Sequence, residues 1–229
     1  MIDIHTHILP VVDDGSQSYD TSVEMLKVME DCGVTDVIIT PHYREIFQNT
    51  KQNLVDEFEK FKYKTKELGI GVNLYLGQEI YYSNRAKSLL SENKLLTLNN
   101  SEYVLIELNN FYETDVSDVL FELKLLGLKV IFAHIERVRY LTIEKLEKLK
   151  NAGAFFQVNA EAVLGKNGLK IKKQIKRLFN KNLVDFVSSD YHENRKYYFH
   201  KAREYVEKKH GKQVAEKVFV SNAQKILKG

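Results

Sequence analysis

The sequence predicts an α/β protein built as a barrel of parallel strands, and three observations carry that expectation. Short β-branched or apolar runs alternate with longer amphipathic stretches about seven times along 229 residues, the pattern of βα units around a parallel sheet. Histidines and carboxylates cluster at the C-terminal ends of those runs, where barrel active sites are built because the βα loops converge there. No Pro/Gly/Ser-rich linker or compositional break interrupts the chain, and its two prolines, Pro10 and Pro41, both follow strand-like runs. A single domain over 1–229 is expected.

Each element has a local reason. Ile2 to His5 forms the first strand, followed by a helix from about Tyr19 that has Ser16 and Ser18 as cap candidates and stops at Gly33. Val34 to Thr40 reads as a continuous buried-strand run around Val37, Ile38 and Ile39. Pro41 cannot extend its pairing, and a helix follows over about Gln52 to Leu68. Val72 to Leu76, with Gly77 behind it, is the third strand; Tyr103 to Leu108 is the fourth and leads into a helix of about Val116 to Leu126 that Gly127 ends. Leu128 to Ala133, Ala154 to Val158 and Val184 to Ser188 complete the strands. Helical patterns near Ile143 to Lys150 and Lys170 to Phe179 separate them, and a last helix covers about Tyr197 to Lys209.

Composition excludes several function classes. The chain is 44% hydrophobic and 28% charged, enough for a sizeable core under a soluble surface. Its 34 basic and 31 acidic residues leave a net charge of +3, too weak and dispersed to argue for nucleic acid. A single cysteine, Cys32, rules out a disulfide framework and a thiolate metal cluster and suits a reducing compartment. A cysteine-based tyrosine phosphatase needs arginine six positions after its nucleophile, and that position holds Ile38, so Cys32 reads as a helix-end packing residue. No apolar run of about 18 residues and no signal-peptide core is present, which leads to the expectation of a cytoplasmic protein without membrane insertion. Lys166 to Lys181 carries seven basic residues on an amphipathic pattern; it reads as a solvated face, with docking to an acidic partner as the alternative.

The reactive side chains are placed by the strand ends. His5 and His7 close the first strand, His42 follows the second, Glu79 the third, Glu107 the fourth, His134 the fifth, and Asp190 with His192 the seventh. In an extended backbone, residues two apart point to the same side, so His5 and His7 can grip one ion and Asp190 with His192 repeats the geometry. Asp13 and Asp14 lie in the first loop within reach of the same mouth. Taken singly, His134 reads as a hydrogen-bonded core residue, Glu79 and Glu107 as carboxylates favoured by helix dipoles, and Asp14 as a turn residue before Gly15. Taken jointly, unpaired polar groups converging on one end of a sheet would be costly, and a metal cluster removes that cost. Imidazole plus carboxylate without thiolate suits manganese, iron or zinc at sites with open positions. His200 and His210 fall away from any strand end and stay outside the site. Tyr81 and Tyr82 read as core packing, with a wall for an aromatic substrate as the alternative.

The segments Asp3-Ile4-His5-Thr6-His7, Asp13-Asp14-Gly15, Thr40-Pro41-His42, Gly77-Gln78-Glu79-Ile80, Leu105-Ile106-Glu107, Ala133-His134-Ile135-Glu136-Arg137 and Ser189-Asp190-Tyr191-His192 together resemble one family. It is the PHP (polymerase and histidinol phosphatase) superfamily, and within it the bacterial protein-tyrosine phosphatases of capsule and exopolysaccharide operons, the CpsB/YwqE type. The resemblance covers essentially the whole chain in matching order. It implies a distorted (β/α)7 TIM-like barrel holding three divalent metal ions, usually manganese, that hydrolyses phosphotyrosine on a cognate bacterial tyrosine kinase. Carried over by position, it implies that His5, His7, Glu79 and Asp190 hold the first ion, a bridging Glu79 with Glu107 and His134 the second, and Asp14, His42 and His192 the third. Arg137 matches the arginine that holds the phosphate, and Arg195 is the candidate for a second one, although the spacing from His192 to His200 is one residue shorter than the family pattern. Any location near the inner membrane would come through the kinase partner.

The chemistry follows from general principles. Adjacent divalent ions lower the pKa of water from about 15.7 toward 7, so a nucleophile is available at neutral pH without cysteine. The planar guanidinium of Arg137 draws charge from the phosphoryl oxygens. A tyrosyl leaving group has a pKa near 10 and depends less on a general acid than a seryl alkoxide, and no residue is given that role. Rival readings keep the metals and change the substrate to a small phosphomonoester, histidinol phosphate-like, or to a nucleic-acid phosphodiester; the weak charge and the lack of a stacking track count against the latter. A catalytically silent docking module would not need an open hydrolytic site.

Overall fold

A computed structural model of the chain describes residues 1–44, 46–47 and 49–228. In chain order the strands are β1 (Ile2–Thr6), β2 (Asp36–Ile39), β3 (His42–Tyr43), β4 (Asn73–Leu76), β5 (Glu79–Tyr81), β6 (Tyr103–Glu107), β7 (Lys129–Phe132), β8 (Phe155–Asn159) and β9 (Phe186–Ser188). They form two sheets, ordered β1-β2-β4 and β3-β5-β6-β7-β8-β9. All the paired neighbours run parallel. A parallel bridge from Thr6 to Tyr191 ties β1 to the segment after β9, where the His7 N–H donates to Tyr191 O at 3.0 Å and the Asp190 N–H donates to His5 O at 2.9 Å. The result is an α/β fold on a curled parallel sheet.

The expected second and third strands are present as β2 and β4, and each is followed by a further short strand that the sequence pattern did not show. After β2 the chain passes Thr40 and Pro41 and continues as β3 in the other sheet; after β4 it passes Gly77 and Gln78 and continues as β5. Pro41 has no N–H for the ladder. At Gly77 a Cβ would lie 2.7 Å from Leu98 Cδ2 and 3.2 Å from Ile38 Cγ2, so the chain crosses where only a hydrogen fits. The two breaks send His42 and Glu79 side by side into the second sheet, in register.

The helices are α1 (Tyr19–Asp31), α2 (Lys51–Glu67), α3 (Asn84–Ser91), α4 (Val116–Leu125), α5 (Ile143–Asn151), α6 (Ala160–Val163), α7 (Leu169–Asn180), α8 (Phe199–His210), α9 (Lys212–Glu216) and α10 (Asn222–Leu227). Side-chain caps start several of them: Ser18 accepts from the Thr21 N–H, Thr50 from the Asn53 N–H and Thr142 from the Lys145 N–H. The sequence pattern did not separate α3, α6, α9 or α10, which are short or lie beyond the last periodic run. Among the described residues, no helix is long and apolar enough to cross a membrane.

Two apolar clusters flank the sheet. Val104, Ile106, Val130, Phe132, Phe156 and Val158 pack outward against the helices. Leu105, Ile131, Phe186 and Ile4 pack inward, closed by Ala223 and Ile226 of α10. Alternation along a strand makes Glu107 share the inward face with Leu105, and Gln157 and Asn159 share it with Phe155. The inward face is therefore apolar at its N-terminal end and polar at its C-terminal end.

Candidate metal centre

Nine of the side chains singled out from the sequence gather at that polar end. His5 Nδ1 donates to Gln157 Oε1 at 3.2 Å and His7 Nδ1 donates to Asp13 Oδ2 at 2.8 Å, which leaves both Nε2 atoms turned inward. These lie 3.2 Å apart. Glu79 Oε2 is 3.3 Å from each of them, and Asp190 Oδ1 is 3.7 Å from His5 Nε2 and 3.6 Å from His7 Nε2. His134 Nε2 meets Glu79 Oε1 at 2.8 Å and lies 3.9 Å from Glu107 Oε1. His42 Nδ1 lies 2.8 Å from Glu79 Oε2, and His42 Nε2 lies 3.4 Å from Asp14 Oδ1. His192 Nε2 is 3.7 Å from the same Asp14 oxygen. Asp14 is the outermost of the nine, with its side chain 57% exposed at the mouth.

Close triads of donor atoms are formed by His5, His7 and Asp190, by His42, Glu79 and Glu107, and by His7, His42 and His192. The first lies wholly within the set the sequence suggested for one ion. The other two regroup the remaining donors: His42 stands beside Glu79 and Glu107, and His7 beside His42 and His192.

The electrostatics are those of a site that needs a cation. Burial pushes the Glu79 carboxyl up, but the His5 and His42 charges and the His134 hydrogen bond outweigh it and hold Glu79 well below the ordinary carboxylate range. Asp190 likewise is raised by burial and brought well below its ordinary range by His5, Arg137, His134 and His7. Burial lowers His7, yet Asp13 and Glu79 raise it well above the usual imidazole value. Burial and the neighbouring His7 pull His192 down to about 4. Even so, among the described residues the buried His134 Nδ1 has no hydrogen-bond partner, and His42 Nδ1 and Glu79 Oε2, though 2.8 Å apart, meet outside hydrogen-bond geometry. A proton can bridge the His5–His7 gap once; a divalent cation would satisfy the facing lone pairs and carboxylates together.

Two left-handed non-glycine residues lie in the centre. His134 has φ 31° and Asp190 has φ 52°, left-handed conformations that non-glycine residues adopt at a cost of roughly 1–3 kcal/mol each. The strain is held by hydrogen bonds, since the His134 N–H donates to Gln157 Oε1 at 2.7 Å and the Asp190 N–H donates to His5 O at 2.9 Å.

Both arginines singled out from the sequence meet on one atom. Arg137 Nη2 and Arg195 Nη1 each lie 2.8 Å from Asp190 Oδ2, and Asn159 Nδ2 donates to the same oxygen at 2.8 Å. Both guanidinium groups remain about a third exposed toward the mouth, at 31% and 34%.

Four contributors escaped the sequence reading as functional residues. Gln157 and Asn159 orient His5, His134 and Asp190 from beneath; their signal was a pair of amide side chains two apart on an otherwise apolar strand. Asp13, noted only for its reach, binds His7. Arg44 Nη2 lies 2.8 Å from both Glu107 oxygens, with Nε 3.2 Å from Oε2, and carried no signal because its loop has no regular pattern. A groove of about 630 Å³ opens beside Glu107, lined by Tyr43, Arg44, Ile46, Tyr81 and Phe111 among others. Tyr81 thus does line a wall, whereas Tyr82 donates to Glu122 Oε2 at 2.6 Å and packs against the core. His210 stacks on Phe179 with ring centroids 4.5 Å apart, and Cys32 caps α1 against the core; neither belongs to the donor triads.

Comparison with known proteins places this arrangement in a family. The family model for CpsB/CapC, capsular polysaccharide synthesis, matches residues 1–228. The chain is 32% identical to the tyrosine-protein phosphatase CpsB of Streptococcus pneumoniae, over 99% of this chain and 98% of that protein. It is 33% identical to a putative tyrosine-protein phosphatase CapC of Staphylococcus aureus, over 84% of this chain and 77% of that protein. Among solved structures it superposes with TM-score 0.88 and 29% identity on one from the pair YwqE of Bacillus subtilis and CpsB of S. pneumoniae, described as metal-dependent tyrosine phosphatases, covering 94% of this chain and 90% of that one. With strands, strained turns and clustered donors all falling within the matched span, the chain belongs to the CpsB/CapC family of capsular polysaccharide synthesis proteins.

Proposed function

We propose that this protein is a metal-dependent protein-tyrosine phosphatase, a phosphoric monoester hydrolase, acting on phosphotyrosine of a bacterial tyrosine kinase that controls capsular or exopolysaccharide synthesis. The observation that carries the reading is the convergence of five histidines and four carboxylates on one rim, with Arg137 and Arg195 beside them. The names of the relatives support the same activity.

The donor set and the buried atoms left without a hydrogen bond fit divalent ions. We assign His5, His7, Glu79 and Asp190 to a first ion, Glu79, Glu107 and His134 to a second, and Asp14, His42 and His192 to a third. Manganese is the first choice, with iron and zinc suited to the same ligands. When bound, such ions supply Lewis acidity and a nucleophile at neutral pH. The chain's own groups do the rest. Arg137 and Arg195 swing from Asp190 to the phosphoryl oxygens, and the planar fork of each donates two hydrogen bonds. Asn159 keeps Asp190 in place when they leave. The groove beside Glu107 offers Tyr81 and Phe111 to the aryl ring.

On this reading the two sheets are parts of one distorted (β/α)7 barrel, with β2 and β3 forming one unit and β4 and β5 another, and the chain is a single domain. A cytoplasmic location, near the inner membrane through the kinase, follows from the substrate.

The test is hydrolysis of a phosphotyrosine peptide that requires manganese, stops with chelator and survives thiol alkylation. His134→Ala and Glu79→Ala should each lower turnover by a factor of about 100 or more while leaving the circular dichroism spectrum unchanged. Full activity in either, or preference for phosphoserine peptide, histidinol phosphate or short DNA, would overturn the reading.

A further inference from the structure

The segment from Lys166 to Lys181 holds seven basic residues and no acidic one. Without those seven, the 34 basic residues of the chain fall below its 31 acidic ones, so the positive charge of the molecule is concentrated on α7 and its approach. Ile175, Leu178 and Phe179 are the buried stripe of this helix, while Lys170, Lys172, Lys173 and Lys176 are exposed. Among the described residues, none of these four lysines is within ion-pair distance of a carboxylate.

This placement opposes helix stability. Lys170 and Lys173 are three apart and Lys172 and Lys176 four apart, spacings at which like charges on a helix repel. The first turn carries no acidic residue and no side-chain cap, so Lys170 and Lys172 sit at the positive pole of the helix dipole. An array of like charges that costs helix stability suits an anionic partner that would neutralise it.

Topology sets the array beside the candidate centre. The helix follows β8 and α6 and leads into β9, so its first turn lies toward the rim where β8 ends at Asn159. It packs against the short turn Ile135–Arg137, which carries one of the two rim arginines. Lys166, just ahead of the helix, reaches the ring of Tyr198 at 5.4 Å, in the loop after Arg195.

Resting on the phosphotyrosine reading above, we propose that α7 is a docking surface for an acidic or multiply phosphorylated segment of the phosphoprotein substrate, which it holds while one phosphotyrosine enters between Arg137 and Arg195. Exposed charge pairs are individually weak and are screened by salt, so the contribution appears in KM and vanishes as ionic strength rises.

The experiment uses the full chain loaded with manganese and three probes: p-nitrophenyl phosphate, a phosphotyrosine peptide flanked by Ser and Gly, and one flanked by Asp and Glu. The variant carries Lys170→Glu, Lys173→Glu and Lys176→Glu, none of them in the centre. For the acid-flanked peptide, KM should rise about tenfold with kcat unchanged, and the anisotropy-measured Kd for the labelled peptide should rise by the same factor. p-Nitrophenyl phosphate and the neutral peptide should change less than twofold, and the three corresponding Lys→Arg substitutions should restore wild-type behaviour. Equal effects on all probes, or none, would overturn the proposal. So would loss of binding to vesicles containing phosphatidylserine with peptide KM unmoved, which would make α7 a membrane contact. If the wild type binds the acid-flanked peptide through α7 yet hydrolyses neither peptide, the phosphatase reading fails and the docking surface stands; if it hydrolyses both peptides with equal KM, only the docking surface fails.

Discussion

Asp13 fixes His7: the imidazole Nδ1 donates to Asp13 Oδ2 at 2.8 Å, and the same oxygen accepts the backbone N–H of His42 at 2.9 Å. One buried carboxylate thereby sets the tautomer of one candidate ligand and the position of another. Burial raises its pKa, but His7, the His42 N–H and the His42 charge bring it down to about 2, so it is ionised throughout the physiological range. Carboxylates behind metal-bound imidazoles are worth about 10–100-fold in affinity or activity. Asp13→Asn should lose manganese affinity by a factor in that range with the fold retained. Unchanged affinity in a metal titration would show that His7 is oriented by something else.

The glycine that follows the two aspartates has a steric reason to be there. A Cβ on Gly15 would lie 2.0 Å from His7 O and 2.5 Å from His7 Cβ, so Gly15→Ala must displace the loop or the strand end. We expect a loss of roughly 1–3 kcal/mol, the cost of overpacking a close-fitted site, together with weakened metal binding. Chemical denaturation with and without manganese checks both, and a wild-type midpoint would refute the close approach.

Arg44 and Glu107 form a bidentate pair across the mouth of the groove. If Glu107 binds an ion through one oxygen, Arg44 can keep the other and hold the carboxylate's orientation, a task for a planar fork that an ammonium performs poorly. Arg44→Ala should lower manganese affinity about tenfold and Arg44→Lys should recover only part of it. A loss of kcat/KM with unaltered metal stoichiometry and affinity would instead place Arg44 on the substrate.

These contacts mark what was legible in the sequence. Residues that sit at strand ends, such as His5, His134 and Asp190, could be placed because period-two alternation and strand boundaries are local properties. The short strands β3 and β5 that follow the second and third were not legible, since they depend on which sheet receives the chain after Pro41 and Gly77, a tertiary choice. Pairings such as Arg44 with Glu107 or Gln157 with His5 join residues far apart in the chain, and no local pattern encodes them. The left-handed turns at His134 and Asp190 are uncommon for any non-glycine residue, and no local pattern announces them.

Removing metal should destabilise the protein as well as silence it. Without cations, Glu79, Asp190 and five imidazoles share a buried space in which, among the described residues, His134 Nδ1 has no hydrogen-bond partner and the close pair Glu79 Oε2 and His42 Nδ1 lacks hydrogen-bond geometry. A ligand that binds only the folded state stabilises it by about 2.7 kcal/mol at 100 times its Kd, and at this chain length each kcal/mol moves Tm by roughly 2–4 °C. Chelation should therefore lower Tm by about 5–10 °C, and returning manganese should restore it. Glu79→Gln removes one of the charges that would hold the cations, so its Tm should respond much less to chelator. A wild-type Tm indifferent to chelator, measured on protein shown by elemental analysis to contain metal beforehand, would mean that these side chains do not form a cation site coupled to the fold.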